Sequence, residues 1–195
     1  MGNIFCLIGK SASGKDTLYK MLLEDVSLEL RRIVLYTTRP IRSGEVDGRE
    51  YHFVSKEDYD KMNERGAIIE SRCYHTVYGD WYYFTADDGN IAPKEADYLV
   101  IETPDSYERL RNYFGKDYVV PLYISLDDGV RLERALQRER SQSKPGYEEM
   151  CRRFLADAKD FSEEKLHALD INNRFENDNL SQCFNRLREY IWTLK

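Results

Sequence analysis

Residues Gly9-Lys10-Ser11-Ala12-Ser13-Gly14-Lys15 have the spacing GxxxxGK, with Asp16 and Thr17 directly after. Two glycines framing small residues let a backbone curl until successive N–H groups converge on phosphate oxygens. A lysine closing such a loop meets the outer phosphates of a nucleoside triphosphate and follows charge onto the group in transfer. Gly9, Ser11, Ala12, Ser13, Gly14, Lys15, Asp16 and Thr17 are therefore the candidate ATP-binding residues, with Lys15 also catalytic. The position after the lysine ordinarily carries Ser or Thr, whose hydroxyl ligates Mg2+; here it is Asp16. A carboxylate can hold Mg2+ directly or through water. Asp16 is thus the candidate metal ligand, Mg2+ the expected cofactor and ATP the expected phosphoryl donor. The bland alternative is a glycine-rich turn with an accidental lysine.

A second anion site is written into Thr37-Thr38-Arg39-Pro40-Ile41-Arg42-Ser43-Gly44-Glu45-Val46-Asp47-Gly48-Arg49-Glu50-Tyr51-His52-Phe53-Val54. Arg39 and Arg42 stand three residues apart after a strand end, where two guanidinium groups could grip one phosphate. Tyr51 can add a hydroxyl donor. Otherwise the arginines are surface groups paired with Glu45, Asp47 or Glu50, and exposed pairs of that kind are weak.

This run resembles the guanylate kinase signature TTRxxRxGExxGxxYxFV, and the likeness extends more weakly across almost the whole chain. The resemblance implies ATP-dependent phosphorylation of GMP or dGMP by in-line transfer. It makes Arg39, Arg42, Tyr51, Glu70, Tyr78, Asp80 and Glu102 the candidate GMP-binding residues. In such a site Glu70 would accept hydrogen bonds from guanine, Tyr78 would donate to the acceptor phosphate, and Glu102 would help organise acceptor and metal. Arg134, Arg138 and Arg153, with Arg39, would stabilise the phosphates during transfer; the other arginines near them read as an ordinary solvated face. Leu35 stands where the family has a serine and Asp80 where it has Ser or Thr, and residues 71–77 diverge from its pattern.

These groups need elements to hold them. The apolar run Asn3 to Ile8, then the glycine loop, then a helical stretch from Thr17, opens a βαβ unit. Ile33 to Tyr36, Tyr98 to Ile101 and Val119 to Ile124 are further strand candidates. Strands alternating with helices imply a mainly parallel sheet covered on both faces. Arg131 to Arg140 and Tyr147 to Leu169 read as helices joined by the polar connection 141–146, and Leu180 to Leu194 has one apolar face. Ser55 reads as a helix cap. The fold class is α/β: a P-loop three-layer core with a parallel sheet, an inserted mixed α/β acceptor-binding subdomain and a helical lid. One guanylate kinase-like domain is expected over 1–195, with core segments 1–36, 85–130 and 154–195, acceptor subdomain 37–84 and lid 131–153.

The chain has 195 residues, 42% of them apolar, which suits one unit with a substantial core. Acids outnumber bases 35 to 29, for a net charge of -6, so nonspecific attraction to nucleic acid or an anionic membrane is not expected. The apolar start is too short for a signal peptide or a spanning helix, and a cytoplasmic location is expected. Cys6, Cys73, Cys151 and Cys183 form no CxxC or Cys/His pattern, which argues against zinc and against disulfides. The expected partners are ATP and GMP, with the chain a monomer or homodimer. Two rival readings share the scaffold: a kinase of another nucleoside monophosphate or a phosphorylated sugar, and a non-catalytic protein-recognition domain. The retained Lys15, Arg134 and Arg138 argue against the latter.

Overall fold

The apolar run that opens the chain forms β1 (Ile4–Gly9), buried along its whole length, and the glycine loop releases it into α1 (Lys15–Glu24). The computed structural model describes residues 2–42, 44–76 and 79–195. After α1 come β2 (Arg31–Arg32), β3 (Tyr36–Thr37), β4 (His52–Phe53), α2 (Lys56–Glu64), β5 (Ile68–Thr76) and β6 (Gly79–Ala86). Next are β7 (Tyr98–Glu102), α3 (Pro104–Phe114), β8 (Val119–Ser125), α4 (Asp128–Arg140) and α5 (Tyr147–Asp160). Last are α6 (Glu163–Ala168), β9 (Arg174–Glu176) and α7 (Leu180–Thr193).

Five strands form a parallel sheet in the order β2-β7-β1-β8-β9. Alternation along β1 splits its side chains between two apolar layers. Ile4, Cys6 and Ile8 pack with Tyr107 and Leu110 of α3 and Leu166 of α6. Phe5 and Leu7 pack with Leu18 and Leu22 of α1 and Cys183, Leu187 and Ile191 of α7. The four-residue spacing of that last trio is the apolar face read from the sequence, and each such residue stabilises by about 2 kcal/mol on burial. Because both faces are covered, the central strands are near-continuously apolar.

The second sheet, in the order β4-β3-β6-β5, is mixed: β3 pairs parallel with β4, while β6 runs antiparallel to both β3 and β5. Its small core is Met62, Phe84 and Ala86. The Ser55 hydroxyl caps α2, accepting from the Asp58 N–H at 3.0 Å.

Two expectations change. Ile33 to Tyr36 is not one strand: the Ile33 N–H still donates to the Leu99 carbonyl of the parallel sheet, and the chain then crosses to pair Tyr36 with Phe84 in the mixed sheet. Tyr147 to Leu169 is not one helix. Phe161 turns into the core and the Ser162 hydroxyl starts α6 by accepting from the Lys165 N–H. Helix α3 follows β7 directly; Thr103 caps it and Pro104 opens its first turn. Among the described residues no helix is long and apolar enough to cross a membrane.

Candidate active site

The phosphate loop hangs from the C-terminal end of β1, where a parallel sheet presents ligands. Gly14 caps α1 at φ 84°, and a Cβ there would lie 2.3 Å from Asn177 Nδ2, so both conformation and space demand glycine. The Asn177 amide donates to the Ser13 carbonyl at 2.7 Å and fixes the curl. Ser13 Oγ is buried with no hydrogen-bond partner among the described residues. Lys15 Nζ lies 3.9 Å from the Asp16 carboxylate, which is largely exposed, as is Thr17.

The outer side of the loop is held by residues that the spacing did not single out. Asp157 Oδ2 on α5 accepts from the Ser11 N–H at 2.7 Å, so a carboxylate occupies one of the groups that would face a phosphate. Arg131, only 1% exposed, donates to the Ser11 carbonyl at 2.9 Å and to Asp157 at 2.7 Å, and also pairs with Asp128. Its guanidinium rests over the Phe154 ring. Arg131 is therefore not part of a solvated face, because its position on α4 points it into the loop. Arg134, one turn further, reaches the Asn177 carbonyl at 3.4 Å beside Gly14.

Arg138 and Arg153 lie further along α4 and α5. Both line a smaller cavity of about 300 Å3 with Glu149 and Lys144. Arg138 is half exposed and 3.8 Å from Glu139. Glu149 accepts from Arg152 Nε at 2.6 Å and Arg153 Nε at 2.7 Å, and Arg152 first, then Arg153, draws its carboxyl down to about 2. One carboxylate thus parks two arginines at the edge of the main cavity.

On the mixed sheet, Arg39 is 3% exposed. It makes a two-pronged contact with Glu45 at 2.8 and 3.0 Å and donates to the Tyr83 hydroxyl at 3.1 Å. The pairing with Glu45 is real, with the guanidinium buried and the carboxylate partly exposed. Arg42 is exposed; its backbone N–H donates to the Glu45 carboxylate at 2.7 Å and its carbonyl accepts from the Glu45 N–H at 3.1 Å. The Tyr51 ring packs edge-on against Tyr83, and burial first, then Tyr83, raises its hydroxyl above the ordinary value, which keeps it a donor.

Glu70, at 2% exposure, is buried on β5. It accepts from Thr85 at 3.1 Å and Ser106 at 2.9 Å, and Arg72 Nε lies 3.6 Å away. Arg72 also donates to Glu102 at 3.0 Å, so two buried carboxylates face one guanidinium. Glu102 Oε1 has no donor among the described residues. Burial first, then the Glu70 charge, pushes the Glu102 carboxyl up to about 8 against the pull of Arg72. Asp80 is not brought to this cluster. Strand alternation puts Trp81 and Tyr83 on the cavity side of β6 and Asp80 on the other, where it meets His75 at 2.7 Å. Tyr78 lies outside the described residues.

A cavity of about 750 Å3 joins the parts, with Ser11 and Asp16 on one side, Tyr51 and Arg72 on the other, and Arg153 and Asp157 along α5. The sequence signals for Asp157, Asn177 and Arg72 were slight: an acid within a helix, a polar residue just past a short strand, and an arginine in the divergent 71–77 stretch.

A glycine loop between a buried parallel strand and a helix, facing an arginine-bearing mixed sheet across this cavity, defines a P-loop nucleotide-binding α/β protein. A sequence profile of guanylate kinase matches residues 1–194. The guanylate kinase of Oleidesulfovibrio alaskensis is 31% identical over 188 residues, spanning 96% of this chain and 85% of that protein. That of Neisseria gonorrhoeae is 43% identical over 100 residues, spanning 51% of this chain and 46% of that protein, so this match takes in about half the length of each. In fold, the crystal structure of guanylate kinase from Anaplasma phagocytophilum superposes with a TM-score of 0.67 at 20% identity, over 98% of this chain and 85% of that one. The chain belongs to the guanylate kinase family.

Proposed function

We propose that the chain transfers the γ-phosphoryl group of ATP in line to the phosphate of GMP or dGMP. The observation that carries this reading is the shared cavity, with the phosphate loop on one wall and Arg72 and Tyr51 of the acceptor side on the other. The acceptor phosphate is already anionic, so no covalent intermediate and no strong base is needed. The chain's contribution is positioning and charge neutralisation: Lys15 and Arg134 at the donor, Arg39, Arg42 and Tyr51 at the acceptor.

In this reading 37–84 is the acceptor arm and 131–153 the lid. Arg153 and Arg138 act when they leave Glu149 and Glu139 for the transferring phosphates, and Asp157 yields the Ser11 N–H to the incoming triphosphate. Closure excludes water and limits ATP hydrolysis.

Mg2+ fits the site. The carboxylates of Asp16, Asp157 and Asp160 line the main cavity, giving the hard oxygen donors this ion takes. Asp16 is the residue that would hold it, and the ion would offset the negative charge of the phosphates.

Glu70 would read guanine, although Arg72 already faces it. The test is a coupled assay over GMP, dGMP, AMP, UMP and dTMP. The expected result is turnover of GMP or dGMP above the rest; no turnover with either guanine nucleotide would sink the assignment.

A further inference from the structure

The arm hairpin has a second face. Arg72 and Tyr74 of β5, with Trp81 and Tyr83 of β6, line the main cavity. Alternation therefore turns Cys73, His75, Asp80 and Tyr82 to the opposite side, where Tyr82 packs on Tyr59 of α2. The register sets Cys73 across from Tyr82 and His75 across from Asp80. A sulfur, an imidazole nitrogen and a carboxylate oxygen from Cys73, His75 and Asp80 all lie within 4.8 Å of one another. All three residues are exposed, and the thiol is free.

We propose that Cys73, His75 and Asp80 form a Zn2+ site on the outer face of the acceptor arm, with water as the fourth ligand. The donor set decides the class of ion. Thiolate with imidazole favours a borderline dication such as Zn2+ and disfavours Mg2+ or Ca2+, which take oxygen. Tetrahedral Zn2+ with bonds of about 2.0–2.3 Å needs its donors about 3.3–3.8 Å apart. His75 and Asp80 are already closer, at 2.7 Å. The remaining adjustment falls on exposed side chains above the antiparallel β5–β6 ladder. Two donors come from one strand and the third from its neighbour, so the cysteine spacing alone gives no metal pattern. The bound ion would tie β5 to β6 across the hairpin whose other face lines the nucleotide cavity.

The test uses the full chain freed of metal and titrated with Co2+, then with Zn2+. The expected result is one equivalent of Co2+ bound with a near-ultraviolet thiolate-to-cobalt absorption, displaced by one equivalent of Zn2+. Binding releases protons, because the thiolate and the neutral imidazole are the binding forms. Cys73→Ser removes the absorption, and His75→Ala and Asp80→Asn each weaken Zn2+ binding by more than about tenfold. Cys151→Ser, at the other exposed thiol, leaves binding unchanged. Absence of the thiolate band in the unmodified chain, or its survival in Cys73→Ser, would overturn the proposal.

Discussion

Arg39 and Arg42 are three positions apart and differ sharply in surroundings. Arg39 is locked into Glu45 and Tyr83 below the surface, whereas the Arg42 side chain is exposed. Arg42→Ala should lower kcat/KM for the acceptor nucleotide about a hundredfold while moving Tm by no more than about 2 °C. Arg39→Ala should lower both activity and Tm, because it empties a buried site and removes the guanidinium contacts to Glu45 and Tyr83. Steady-state kinetics set beside thermal melts would separate the two; equal loss of Tm in both variants would contradict it.

Glu102 gives a pH prediction at the same scale. Its carboxyl is raised from an ordinary value of 4.5 to about 8, chiefly by burial. Below the ordinary value both folded and unfolded chains hold the proton. As pH rises, the unfolded chain releases it first, so the contribution to stability is lost progressively until the folded group ionises near 8. Glu102→Gln should flatten the fall of Tm between about pH 5 and 8. An unchanged slope would show that Glu102 is ionised throughout.

The family resemblance alone pointed to Glu70, whereas Arg39, Arg42 and Tyr51 could be singled out by their spacing within one continuous run. Asp157, Asn177 and Arg72 could not. Their roles arise where α5, the end of β9 and the arm hairpin meet distant residues, and nothing within a few positions of each announces that meeting. Arg131 shows the same limit, since four arginines on one helix look alike until one is seen to point at Ser11.

Among the elements, α5 and α6 show how a single residue redirects the chain. A continuous helix over 147–169 satisfies the apolar periodicity, but Phe161 is drawn into the core and Ser162 restarts the helix. Ser162→Ala should cost about 1 kcal/mol in denaturant unfolding, the usual value of an N-cap hydroxyl; no change would mean the break is imposed by Phe161 alone. Helix α7 was legible end to end because its trio of buried residues keeps one face. Leu187→Ala should cost about 2–5 kcal/mol, since that face is wholly covered. The strand run 33–36 was misread for a reason that periodicity cannot register: Ile33 hydrogen-bonds to the parallel sheet and Tyr36 pairs in the mixed one.

Across the whole molecule, the net charge is -6, and in the main cavity Arg72, Arg152 and Arg153 are met by Asp16, Glu149, Asp157 and Asp160. The three-layer core was legible because parallel strands buried on both faces leave unbroken apolar runs. The side-by-side order of the strands was not, since no local pattern says that β7 lies between β2 and β1. The most direct test follows a labelled γ-phosphoryl group from ATP in a single turnover with GMP and Mg2+. The expected product is labelled GDP from the unmodified chain, with transfer slowed at least about a hundredfold in Lys15→Ala. Label found only in inorganic phosphate, or equal transfer by the Lys15→Ala chain, would contradict it.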